Sequence, residues 1–93
     1  MALSQNARRH VQVMATNPAI GDEISDMIDA GSGTLSARAK EAFRAQIGIR
    51  AIADSIIGKI ESAAALTGDE QSRLGMALGS RVIAEEISDV LSA

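Results

Sequence analysis

The sequence contains no cysteine, no tryptophan and no tyrosine, and only one phenylalanine, one proline and one histidine. Without cysteine there is no disulfide framework, no thiolate metal site and no thiol nucleophile, and the redox compartment cannot be read from this residue. Only Phe43 could stack on a base, and a formal net charge of -3 repels a phosphate backbone, so nucleic-acid binding is disfavoured. No stretch approaches the ~20 apolar residues that span a bilayer, and the opening Met-Ala-Leu-Ser-Gln-Asn-Ala-Arg-Arg-His lacks the apolar core of a signal peptide. The expectation is a soluble chain without a membrane partner. Scarce proline and scattered glycine argue against disorder.

What is present is a globular balance, 46% apolar and 23% charged among 93 residues. A chain of this size forms one compact domain that buries roughly 60 to 65% of its unfolded surface. The strongest internal signal is repetition. Residues 3–30, 35–62 and 66–93 align at a spacing of about 31 residues. Leu3, Leu35 and Leu66 coincide, followed by the hydroxyls Ser4, Ser36 and Thr67, then by Ile20, Ile52 and Ile83, and by Ile24, Ile56 and Ile87. Further apolar columns are Val11/Phe43/Leu74, Ala15/Ile47/Leu78, Ala19/Ala51/Val82 and Ile28/Ile60/Leu91, with an acidic column at Asp22/Asp54/Glu85. Two amphipathic helices always align somewhere. Shared helical periodicity alone would not also place the cap, the small residue at Thr16/Gly48/Gly79 and the acid in one register.

Each copy reads as two short helices. The hydroxyl at Ser4, Ser36 or Thr67 caps the first, a contribution of ~1 kcal/mol, with the preceding Leu as a hydrophobic staple. Thr67 and Glu70 complete a capping-box pattern. The break falls at Thr16-Asn17-Pro18, Gly48-Ile49-Arg50 and Gly79-Ser80-Arg81, where Asn17 and Ser80 are good caps, Pro18 suits a first helical position and the middle copy has no cap. The second helices carry stripes at helical spacing, Ile20/Ile24/Ile28, Ile52/Ile56/Ile60 and Ile83/Ile87/Leu91. One hairpin cannot cover its own stripe, so the copies must pack together. Gly31-Ser32-Gly33-Thr34 reads as a turn between copies one and two, whereas Ser62-Ala63-Ala64-Ala65-Leu66 has no breaker and predicts a helix running on to Thr67. The fold expectation is all-α: three tandem helical hairpins, six short helices, in one domain over 1–93. Stacking as a short solenoid and closure around an axis both remain open.

Chemistry is sparse. His10 has no evident partner, and its column holds Ala42 and Arg73, so a surface histidine is expected. The carboxylates of Asp22-Glu23-Ile24-Ser25-Asp26 and Glu85-Glu86-Ile87-Ser88-Asp89 could in principle clamp a hard cation, but the middle copy offers only Asp54 opposite Gly58, and a role beside a helix N-terminus suffices. Gly31-Ser32-Gly33 lacks the lysine and preceding strand of a phosphate loop. The cations Arg8, Arg9, Arg38, Lys40 and Arg44 read as solvated faces, while Arg50 and Arg81 share a column and could pair with acids of a neighbouring repeat or subunit. No catalytic residue, cofactor or metal is expected, because no nucleophile, base and orienting group assemble from these residues.

The middle copy is greasier than its neighbours. Ile49 stands opposite Asn17 and Ser80, and Ile57 opposite Ser25 and Ser88. A central repeat touching neighbours on both sides explains a wider apolar stripe, and so does a partner surface. Ile49, Ile57 and Arg50 are therefore the candidate partner-interface residues. Met27 and Val90, opposite Lys59, suggest isolated apolar residues on the outer copies.

Residues 66–91, and within them Ala77-Leu78-Gly79-Ser80-Arg81-Val82-Ile83-Ala84-Glu85-Glu86-Ile87, resemble short helical motifs in small structural proteins of tailed-bacteriophage virions. The likeness reaches the rest of the chain through its repeats, with less of the motif kept in copies one and two. It implies a capsid- or tail-associated accessory protein present in many copies, such as a decoration or cement protein, located in the virion. Its partners would be capsid or other virion subunits, or a second copy of itself in a homo-oligomer. It carries over no active-site residues. A monomeric helical adaptor or regulator that binds one partner protein is the alternative, with a cytoplasmic location. A helix-turn-helix regulator fits the hairpin size but not the net acidity or the hydrophobic second helices.

Overall fold

Each first helix begins where a hydroxyl can cap it. In the computed structural model, which describes residues 2–31 and 33–93, Ser4, Ser36 and Thr67 accept hydrogen bonds from the backbone N–H of Ala7, Ala39 and Glu70. They open α1 (Gln5–Ala15), α3 (Ala37–Ile47) and α5 (Gly68–Leu78). Thr67 and Glu70 form the full reciprocal capping box. Each first helix ends on a left-handed residue, Thr16, Gly48 or Gly79, and the chain turns directly into α2 (Pro18–Ala30), α4 (Arg50–Ser62) or α6 (Arg81–Ser92). Asn17 caps α2 and Ser80 caps α6, whereas Ile49 holds the same place before α4 with no side-chain cap. Among the described residues there is no strand, and the fold is all-α.

One boundary differs from expectation. The helix of hairpin 2 does not run on to Thr67. It stops at Ser62, and Ala63 takes a left-handed conformation with φ +56°, while the Ala64 N–H bonds to the Lys59 carbonyl at 2.9 Å. A left-handed alanine costs roughly 1–2 kcal/mol. Leaving the helix there lets Leu66 turn inward to 5% exposure, with its N–H donating to the Ser88 hydroxyl at 3.2 Å. Tertiary burial overrides a local sequence that has no breaker. In the other linker, Gly31 ends α2 with φ +79°, and Ser32 of the expected turn lies outside the described residues.

The hairpins close into a ring. Helices α1, α3 and α5 contact one another pairwise, and each also packs on the second helix of the hairpin before it: α3 on α2, α5 on α4, and α1 on α6. The last contact joins hairpin 3 to hairpin 1, which an open solenoid would hold apart. The extents of 27 × 27 × 24 Å and a radius of gyration of 11.1 Å suit closure around a pseudo-threefold axis. The reading of three copies of one repeat fits this pairing.

The core follows the columns. Leu3/Leu35/Leu66, Val11/Phe43/Leu74, Ala15/Ile47/Leu78, Ile24/Ile56/Ile87 and Ile28/Ile60/Leu91 are all buried in one cluster drawn from all six helices. Each fully buried Leu or Ile contributes ~1.5 to 3 kcal/mol. One expected apolar column is not core: Ala19, Ala51 and Val82 are all exposed, because they lie near the start of the second helix, off its inward stripe. Conversely, Val90 is buried and Met27 is half-buried against the core, so neither is an isolated surface residue.

Candidate interaction surface

Two of the carboxylates that looked like partners for their own helices, Glu23 and Glu86, act instead across hairpins. Glu23 on α2 accepts from both the N–H and the hydroxyl of Ser36, at 2.7 and 2.9 Å, and thereby covers the start of α3. Glu86 on α6 does the same for Ser4 ahead of α1, at 2.7 and 3.1 Å. A carboxylate here meets unpaired N–H groups and the positive end of the helix dipole. At the third junction the groups have changed sides. Ser55 stands in the column of Glu23 and Glu86, and Glu70 in the column of Ala7 and Ala39. Glu70 accepts from the Ser55 hydroxyl, from Lys59 Nζ at 3.1 Å and from the Thr67 N–H at 2.8 Å. Burial alone would raise the Glu70 carboxyl, but these three donors outweigh it and hold its pKa below the ordinary carboxylate value.

A second set of bonds closes each hairpin on itself. The Leu3 N–H donates to Asp29 at 2.8 Å beside Arg8, which reaches Asp29 at 2.9 Å and Asp26 at 2.5 Å. The Leu35 N–H donates to Glu61 at 2.8 Å, with Lys40 3.8 Å away. In hairpin 3 neutral groups take these places, the Ser88 hydroxyl accepting from the Leu66 N–H and from Gln71. The acidic column braces hairpins 1 and 2, Asp22 accepting from Gln12 and Asp54 from Arg44. Arg8, Lys40 and Arg44 are thus structural partners rather than merely solvated charges. His10 is half-buried, with Nδ1 2.8 Å from the Asn6 carbonyl oxygen. Among the described residues no three His, Asp or Glu side chains group as metal ligands, and no helix is long and apolar enough to cross a membrane.

Of the three interface candidates, the structure separates one from the other two. Ile57 is 5% exposed in the core, so its extra apolar bulk belongs to the wider buried face of a central helix. Ile49 and Arg50 lie together at the surface, Ile49 at 37% exposure and the Arg50 side chain at 74%. Arg50 approaches only Asp54 of its own helix, at 3.9 Å, and Arg81 has no carboxylate within 4 Å among the described residues, so neither bridges to a neighbouring repeat.

The surface also contains Val13 and Met76, which belong to none of the expected apolar columns, and Val82, from a column expected to be core. Val13, Met76 and Val82 are 71, 76 and 73% exposed. With Ile49 they all lie within a helical turn of a hairpin bend. Val13 and Met76 share a column with Ala45, and helical spacing sets that column away from Val11/Phe43/Leu74. That spacing was the available signal. Two depressions meet at Met76, one of 260 Å³ reaching Gln46, Ile47 and Arg73, the other of 450 Å³ reaching Gly79, Ser80 and Arg81. A shallow groove of 540 Å³ between hairpins 1 and 2 is lined by Ala15, Ile20, Ala42 and Ala45, with Arg38 and Glu41 at its edge.

Compared with known proteins, the chain matches no family model, no curated protein and no solved structure. The functional reading therefore rests on this surface.

Proposed function

We propose that the chain is a non-enzymatic structural or assembly protein that binds a larger protein particle through its helical surface. Ile49 carries the reading. Asn17 and Ser80 cap their helices at the equivalent place, each worth about 1 kcal/mol. Ile49 makes no cap and is not compensated by full burial. A position that forgoes local stability without joining the core is explained by a contact outside the chain. The likeness of hairpin 3 to virion structural proteins supplies the finer form: a capsid- or tail-associated accessory protein whose partners are virion subunits or further copies of itself.

Sedimentation velocity over a wide concentration range tests this, with interference optics because the chain has no Trp or Tyr. Ile49→Ser is the variant to compare, since it restores the cap found in the outer hairpins. The expected result is a defined oligomer that Ile49→Ser weakens while its melting temperature rises. A strict monomer would move the weight to a second reading, favoured by the groove between hairpins 1 and 2: an adaptor that holds one partner segment along Ala15, Ile20, Ala42 and Ala45.

A further inference from the structure

Elsewhere on this acidic chain Arg8, Lys40, Arg44, Arg50 and Lys59 have a carboxylate within 4 Å, whereas among the described residues Arg9 and Arg38 do not. Arg8 and Arg44 are each held by two carboxylates, and Lys59 by Glu70. Around Met76, Arg73 lines the depression between α3 and α5, Arg81 lines the adjoining one, and neither has a carboxylate within 4 Å among the described residues. The surface around Met76 thus presents an exposed thioether flanked by two guanidinium groups without a carboxylate within 4 Å among the described residues. Methionine and arginine are enriched in protein interfaces, the one adaptable in shape and the other suited to bidentate contact with carboxylates. A nucleic-acid reading is weaker here, because Phe43 is buried and no aromatic side chain is offered for stacking.

We propose that this surface docks an acidic protein segment bearing a large apolar side chain, the apolar group seated beside Met76 and its carboxylates on Arg73 and Arg81. The proposal rests on the protein-binding reading above and adds the location and chemistry of the partner.

The test is a titration of the isotope-labelled chain, followed by backbone amide shifts, with three probes. These are a synthetic peptide of repeated Glu-Glu-Leu, an oligoglutamate of equal charge and an oligodeoxythymidylate. The Glu-Glu-Leu peptide is expected to shift residues 46–47 and 73–82 and to bind more tightly than the other two probes. Met76→Ser and the double variant Arg73→Gln/Arg81→Gln should each weaken it about tenfold, with helix content and melting temperature unchanged. Equal binding of oligoglutamate or of the oligonucleotide, insensitive to Met76→Ser, would mark a general polyanion surface and overturn the proposal. Absence of shifts in these two segments with every probe would also overturn it. If Ile49→Ser still weakens self-association in that case, the assembly reading stands and only this docking face is lost.

Discussion

At the residue scale, the side chain that most changes its role between sequence and structure is Glu70. Its spacing from Thr67 reveals the capping box, and the structure keeps it. The spacing does not reveal that Glu70 is 5% exposed and also receives Ser55 and Lys59 from the neighbouring hairpin. Because its pKa is held below the ordinary value, its contribution is full above about pH 4.3 and is lost as the pH falls through the lower folded value. Glu70→Gln should therefore lower stability at neutral pH by about 1.5 to 3 kcal/mol, and the gap from wild type should narrow on acidification. Urea unfolding followed by circular dichroism at neutral and acid pH reads both. A gap independent of pH would remove the ionised carboxylate from the account. Ile49 and Ile57 illustrate the same limit, since both broaden one apolar stripe and only one of them is core.

At the element scale, glycine has opposite meanings in two second helices. A Cβ built on Gly21 would lie 2.5 Å from the Gln12 Cα, so α1 and α2 approach so closely that no side chain fits. Nothing lies within 4 Å of a Cβ on Gly58, an exposed position inside α4. Gly21→Ala should destabilise by about 1 to 3 kcal/mol through forced separation of the helices. Gly58→Ala should stabilise by ~0.8 to 1 kcal/mol through helix propensity alone. Thermal unfolding of the two variants should move in opposite directions, and shifts of the same sign would contradict the close crossing. Neither outcome was legible beforehand, because periodicity along one helix does not say how closely a neighbouring helix approaches it. The helix starts at Ser4, Ser36 and Thr67 and the bends at Thr16, Gly48 and Gly79 were legible, because caps and left-handed ends are made by residues adjacent in the chain.

At the scale of the molecule, the ring has two junctions crossed by the chain and one, between hairpins 3 and 1, held without it. Glu23 and Glu86 make the same pair of bonds to a serine at a covalent and at the non-covalent junction respectively. Glu23→Ala and Glu86→Ala should therefore cost similar global stability, about 1.5 to 3 kcal/mol each. Only Glu86→Ala should open its junction locally, which hydrogen exchange would detect as faster amides at the start of α1 without a matching change at the start of α3. Equal opening at both would mean that the chain connection adds nothing to closure. The sequence by itself determined the six helices, their caps and their inward stripes, because each depends on neighbours within one or two turns. Only the tertiary structure decided that the hairpins close rather than stack, that Glu23 and Glu86 serve the next hairpin, that Ala63 leaves the helix, and that Ile57 is buried while Ile49 stays outside. Periodicity says which face of a helix is apolar, and it is silent on which other helix lies against that face.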